Sequence, residues 1–207
     1  MFISFEGIDF CGKSTQIKKL EEYFLALSKR VKVIREPGGT IISEKIRDIL
    51  LDKKNDQMVM ETEILLFSAS RSQLVREVIR TSLNAGFVVI SDRFHDSSTA
   101  YQGYGRGLSV DDIKNIHKIA VGETLPDLTF LIDIPVEVAY QRRGVKTGHL
   151  DRIEVSDNDF YSRVRNGYLQ IAMEEKRFRV IDGNRDIDLI HQDIINEIIK
   201  YETAERV

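Results

Sequence analysis

Short apolar runs alternate with longer segments of helical period along the whole chain, and this alternation limits the fold more than any other feature. The runs are Phe2-Ile3-Ser4-Phe5, Val31–Arg35, Phe87–Ser91, Leu128–Ile132 and Arg179–Ile181, each followed closely by Gly, Pro or Asp. Between them apolar residues recur at spacings of three and four. Ile17, Leu20, Phe24 and Leu27 form one such face, and Ile42, Ile46, Ile49 and Leu50 another. A longer pattern from about Met58 to Asn84 carries Ile64, Leu65, Val75, Val78, Ile79 and Leu83, and Gly86 stops it. Pro135 suits the first turn of a helix after the fourth run, and isoleucines at helical spacing extend from Ile187 to about Glu202. Continuous apolar strands bounded by helices predict an α/β fold, a parallel sheet covered on both faces. Right-handed crossovers then align the strand C-termini along one edge, where such sheets take ligands. No repeat, low-complexity tract or linker divides the 207 residues, so a single domain over 1–207 is expected.

Composition excludes several classes. Apolar residues at 42% and charged residues at 30% match a globular chain rather than a disordered one. A net charge of −3 creates no global basic field, so no nucleic-acid partner is expected and any bound anion needs local basic groups. Cys11 is the only cysteine, which rules out an intramolecular disulfide and a four-cysteine zinc site. No stretch approaches the ~20 apolar residues of a membrane span. The N-terminus lacks a secretory pattern, so no membrane partner and a cytoplasmic location are expected by default.

Between the first strand and the first helix, Gly7-Ile8-Asp9-Phe10-Cys11-Gly12-Lys13-Ser14 fits G-x-x-x-x-G-K-[ST] and runs into Thr15. Such a loop must wrap a phosphate chain closely, so glycines stand where a Cβ collides or φ is positive. Successive backbone N–H groups and the helix N-terminus face the anion. Lys13 adds a point charge near the β- and γ-phosphates, and the Ser14 hydroxyl can ligate Mg²⁺. The loop alone does not separate a switch GTPase, a motor ATPase and a small-molecule kinase, but no N-K-x-D guanine-reading motif follows. Asp92-Arg93 ends the third strand: Asp92 can orient Mg²⁺ or its water, and Arg93 can fork onto a phosphate oxygen. Asp133 and Asp182 also end strands and read as turn formers or helix caps.

Five separated segments then carry a resemblance to the thymidylate kinase family that spans essentially the whole chain. They are Glu6–Asp9 running into Gly12–Thr15, Arg35–Thr40, Leu66–Arg71, Asp92 through Gly103, and Leu150–Glu154. The resemblance implies a three-layer fold whose five-stranded parallel sheet has the order 2-3-1-4-5. It implies transfer of the γ-phosphoryl of Mg·ATP to dTMP, giving ADP and dTDP in dTTP biosynthesis. By the same resemblance Phe67 stacks on thymine, Arg71 bonds the base, and Ser98 and Gln102 meet polar base edges. Tyr101 lies against the sugar, Asp9 on the 3′-hydroxyl side and Arg93 on the 5′-phosphate. Glu36 and Pro37 of the second segment and Asp151 of the fifth are assigned to the same nucleotide. A homodimer is implied, through the long Met58–Asn84 helix.

From Gln141 to Arg152 stand Arg142, Arg143, Lys146 and Arg152 against one acid, Asp151, with Gly144 and Gly148 among them. This stretch, about 141–154, reads as a small mobile lid. The family divides into members with a basic residue inside the phosphate loop and members with basic residues in the lid. Phe10 and Cys11 occupy the loop positions here, so the resemblance implies that the lid supplies the catalytic charge: Arg142 or Arg143 first, Arg152 next. The resemblance also implies an adenine pocket between the lid and Gly183-Asn184-Arg185. Two alternatives stay open. A deoxynucleoside kinase phosphorylates a hydroxyl and needs a carboxylate base, for which Glu36 is the candidate; a non-catalytic nucleotide switch needs neither acceptor arginines nor a lid. Cys11, beside a helix N-terminus and Lys13, reads either as a reactive thiolate or as a small residue tolerated in the loop. His95, His117, His149 and His191 lack ligand spacing and read as structural or surface residues.

Overall fold

The computed structural model describes residues 1–144, 152–153 and 158–204. Its centre is β1 (Phe2–Glu6), buried along its whole length. β1 pairs in parallel with β3 (Val88–Asp92) on one side and β4 (Leu128–Asp133) on the other. β2 (Val31–Arg35) flanks β3 and β5 (Phe178–Asp182) flanks β4, which completes a parallel sheet in the order β2-β3-β1-β4-β5. The registers Phe5↔Asp92 and Phe5↔Phe130 bring the strand ends into line beside the loop that leaves β1. Side-chain alternation sends β1 to two cores. Ile3 and Phe5 join Ile90, Phe130 and the Ile17, Leu20 and Phe24 face of α1 (Lys13–Ala26), whereas Phe2 joins Val89, Ile34, Leu74 and Ile79.

α2 (Ile41–Leu51) is capped by Thr40, whose hydroxyl accepts from the Ser43 N–H at 3.0 Å. α3 (Met60–Leu74) runs through a π-helical turn at Val75–Ile79 into α4 (Arg80–Asn84), so the long helical pattern is realised as one rod with one widened turn. After β3 come α5 (His95–Ser98), a π-helical segment at Thr99–Gly105 and α6 (Val110–Ala120). α7 (Val136–Gly144) follows β4, α8 (Asn158–Glu174) precedes β5, and α9 (Ile187–Ala204) ends the described chain.

α6 and α8 were not expected from the sequence. α8 buries Phe160, Tyr161, Val164, Tyr168 and Ile171, a helical spacing carried by aromatics that polar residues interrupt. It packs on the Thr99–Gly105 segment so closely that a Cβ on Gly167 would sit 2.6 Å from the Tyr104 side chain. No described helix is long and apolar enough to cross a membrane.

Candidate active site

At the C-terminal edge of the sheet lies a cavity of about 640 Å³, walled by the β1–α1 loop, the ends of β2 and β3, α3 and the Thr99–Gly105 segment. The loop turns at Gly7, where φ is +135° and a Cβ would stand 2.5 Å from the Ile132 carbonyl oxygen. Phe10 and Gly12 also have positive φ, so the backbone curls over what it faces. Ile8 and Cys11 are both buried. Lys13 Nζ donates to the carbonyls of Gly7 (3.2 Å) and Ile8 (3.1 Å) and lies 3.5 Å from Cys11 Sγ. Thr15 lines the cavity one residue beyond Ser14.

Ser14 Oγ donates to Asp92 Oδ2 at 3.1 Å, joining the first turn of α1 to the end of β3. Among the described residues no group of three or more His, Cys, Asp and Glu side chains is arranged to hold a metal ion. Two hard oxygens beside the β1–α1 loop suit Mg²⁺, which typically takes one or two protein ligands and fills its octahedron with phosphate and water oxygens.

Arg142 reaches from α7 across the loop. Its Nη1 donates to Cys11 O (3.2 Å) and Phe10 O (3.5 Å), and its Nη2 to Gly183 O (3.0 Å) in the turn after β5. The other two candidate arginines stand elsewhere. The Arg143 guanidinium lies over the Tyr140 ring at 5.3 Å, and Arg152 donates to Leu50 O at 2.9 Å and to Glu63. Lys146, Gly148, His149, Asp151, Glu154 and most of the 141–154 stretch lie outside the described residues.

Deeper in the cavity, Arg93 is the hub of a polar network. It holds a left-handed φ of 70°, with its N–H donating to Phe5 O at 3.0 Å. Its guanidinium pairs with Asp9 at 2.6 Å and also donates to Gly7 O, Ser97 Oγ, Tyr101 Oη and Tyr168 Oη. Tyr101 and Tyr161 both donate to Asp9 Oδ2, at 3.0 and 2.9 Å. Burial works to raise the Asp9 pKa, but the charges of Arg93 and Lys13 and the two phenol donors carry it below its ordinary value. Glu6 underpins the network, accepting from Phe94 N (2.7 Å), Ser97 Oγ (2.6 Å) and Tyr168 Oη (2.8 Å). Burial and the nearby Asp96 push its carboxyl up to about 7.

The third wall comes from α3. Phe67 and Arg71, one helical turn apart, both line the cavity. Arg71 is 1% exposed; its Nε pairs with Glu36 at 2.6 Å, and its Nη2 donates to Ser98 Oγ (3.1 Å) and Phe94 O (3.3 Å). Its Nη1 and Glu36 Oε1 are buried and have no hydrogen-bond partner among the described residues. Burial raises the Glu36 pKa to about 6 against the opposing charge of Arg71. Pro37 lines the same wall and its carbonyl accepts from Arg35 and Arg47. Gln102 closes the cavity and donates its amide to Glu63 Oε1 at 2.8 Å.

Sequence reasoning missed Tyr161 and Tyr168, two aromatics seven residues apart on α8 whose helical spacing was the available signal. It also missed Glu63, an acid on the buried face of α3 that stands out from its apolar neighbours. Asp133, read as a turn former or cap, instead pairs through both oxygens with Arg165 at 2.7 and 2.8 Å. Asp182 does form a turn, accepting from the Asn184 N–H. His95 and His117 are buried, and burial drives the His95 pKa down to about 4, a neutral structural group.

A family profile described as thymidylate kinase matches residues 5–194 of the chain. The thymidylate kinase of Thermoanaerobacter pseudethanolicus is 50% identical over 201 residues, 97% of this chain and 98% of that protein. That of Thermosipho melanesiensis is 50% identical over 194 residues, covering 94% and 95%. The crystal structure of thymidylate kinase from Ehrlichia chaffeensis superimposes with a TM-score of 0.78 at 35% identity, covering 96% of this chain and 97% of that one.

Proposed function

The chain belongs to the thymidylate kinase family, which transfers the γ-phosphoryl of ATP to dTMP, and from that premise we propose how its own residues divide the work. Gly7–Ser14 and Thr15 hold the triphosphate, with Lys13 on the β/γ side. Phe67, Arg71, Ser98 and Gln102 read the thymine. Asp9 and Tyr101 hold the sugar, Arg93 the 5′-phosphate, and Glu36 and Pro37 complete that wall with Asp151. The observation that carries the reading is Arg71 Nη1, a buried guanidinium donor without a partner among the described residues, one helical turn from an aromatic face in the same cavity. A donor so placed costs free energy unless a ligand oxygen completes it.

The acceptor phosphate is already anionic near neutral pH, so the reaction needs alignment and charge neutralisation rather than a general base. Glu36, the base that a hydroxyl acceptor would require, serves Arg71 instead, a role supported by their 2.6 Å pair. Ser14 and Asp92 would hold Mg²⁺, directly or through water, and the bound ion would neutralise charge between the phosphates. For the catalytic cation we favour Arg142, supported by its bonds to the loop carbonyls; Arg143 and Arg152 would enter only on rearrangement of the lid. The Arg142 bond to Gly183 also supports an adenine site between the lid and Gly183–Arg185.

Residues 1–207 form one kinase domain on this reading, supported by a single sheet with cores on both faces. Exposed Ile42, Ile49, Leu65 and Ile119 on α2, α3 and α6 support a homodimer, and a cytoplasmic enzyme meets both its nucleotides there. A coupled ADP-release assay with Mg·ATP across dTMP, dUMP, thymidine, AMP, CMP and GMP tests the assignment. Turnover strongly favouring dTMP is expected. Turnover with thymidine alone would move the chemistry to a hydroxyl, and silence with every acceptor would sink the kinase mechanism.

A further inference from the structure

Glu63 does not itself line the cavity, yet it is the meeting point of three side chains. Its Oε1 accepts from Gln102 Nε2 at 2.8 Å and from Arg106 Nε at 3.3 Å, and its Oε2 accepts from Arg152 and, at 3.5 Å, from Arg106 Nη2. The residue is 1% exposed, so it is a buried charge with two arginine partners. An ionised carboxylate can only accept hydrogen bonds, whereas a primary amide has one donating and one accepting end. With its NH₂ end spent on Glu63, Gln102 has its carbonyl oxygen on the other branch of the amide, and Gln102 lines the cavity.

We propose that Glu63 is a positioning residue that sets the polarity of the Gln102 amide and thereby the choice of base. This rests on the acceptor-site reading above. Arg71 presents a fixed donor and Gln102 a fixed acceptor to the same base. Thymine and uracil answer that pair with a carbonyl oxygen at C4 and an N–H at N3. Cytosine offers an amino group at C4 and a bare N3, reversing both. A free glutamine amide would flip to suit cytosine N3; one anchored on a carboxylate cannot without leaving Glu63 facing a carbonyl oxygen. Discrimination by an unmatched buried polar group is the strong kind. The pKa agrees with the geometry: burial works to raise the Glu63 value, but the Gln102 amide and the Arg106 and Arg152 charges bring it below the ordinary one.

The test compares kcat/KM for dTMP and dCMP in the wild type, Glu63→Gln, Gln102→Leu and the double variant. Glutamine at 63 keeps the shape but can donate or accept, so the dCMP:dTMP ratio should rise about tenfold, equivalent to about 1.4 kcal/mol. In the Gln102→Leu background the same change at 63 should leave the ratio unmoved. A purely structural Glu63 would lower both substrates together at constant ratio, which would overturn the proposal. Should Glu63→Gln not fold, Gln102→Leu decides alone: an unaltered ratio overturns the proposal and a raised one supports it. A wild type indifferent to the two acceptors would instead remove the base-site reading itself.

Discussion

Replacing Arg71 with Met separates two roles carried by one side chain. Met fills a similar length of buried space without charge, so the packing change is small and electrostatics dominate. On the substrate side, Nη1, unpartnered among the described residues, is a charged donor, and such a hydrogen bond contributes about 1.5–3 kcal/mol. Its loss lowers kcat/KM for dTMP by roughly 10- to 150-fold. On the protein side, the change abandons Glu36. Burial already holds that carboxyl at about 6 with Arg71 beside it, above its ordinary 4.5. At 1.36 kcal/mol per pKa unit, ionising it in the wild type costs about 2 kcal/mol of stability. A carboxyl with a raised folded pKa binds more protons folded than unfolded, so stability falls as pH rises from the unfolded value to the folded one. In the wild type that fall ends near pH 6. Without Arg71 the Glu36 pKa climbs further, and the fall continues through pH 7 and 8 at up to about 1.4 kcal/mol per unit. For a chain of this size the Tm gap to wild type should then widen by about 3–6 °C per pH unit. Thermal unfolding at pH 5, 6, 7 and 8 measures this, and adding Glu36→Gln should flatten the profile. A dTMP kcat/KM within about threefold of wild type would exclude Arg71 from the acceptor contact. A Tm gap constant across the pH range would refute the buried-carboxylate reasoning.

Three further outcomes are expected. Arg142→Ala should reduce kcat ~100-fold with little change in the KM for dTMP, as loss of a transition-state contact does; an equal loss in KM alone would reassign it to ground-state binding. Gly7→Ala forces a Cβ to 2.5 Å from Ile132 O at a φ of +135°, which should cost about 3 kcal/mol, seen as a Tm lower by about 6–12 °C; an unchanged Tm would mean that the loop relaxes freely. Chelation by EDTA should abolish turnover, and Ser14→Ala should raise the Mg²⁺ concentration for half-maximal rate; turnover that survives EDTA would refute the metal role of Ser14 and Asp92.

The alternation of strands and helices, the glycine-rich loop motif and the five separated segments were legible because each is a local or periodic property; the strand order came with the family resemblance that those segments carry. A loop that curls over phosphate requires Gly7, Gly12, Lys13 and Ser14 at fixed spacing whatever surrounds it, and the end of an apolar strand places it at the sheet edge. α8 was not legible because its buried face is built from aromatics broken by polar residues, and only packing on the Thr99–Gly105 segment distinguishes that face from a solvated one.

By itself, then, the sequence determined the fold class and the loop motif, since these follow from residue type and spacing along the chain, while the family resemblance named the remaining candidate side chains. The tertiary structure alone decided their partners. Arg71 meets Glu36 across 35 residues, Gln102 meets Glu63 across 39, and Tyr161 reaches Asp9 across 152. It also set Arg142 on the loop while holding Arg143 on an aromatic ring and Arg152 on Glu63. Charge neutralisation, amide polarity and pKa depend on distances of a few ångströms through space, and separation along the chain carries no record of those distances.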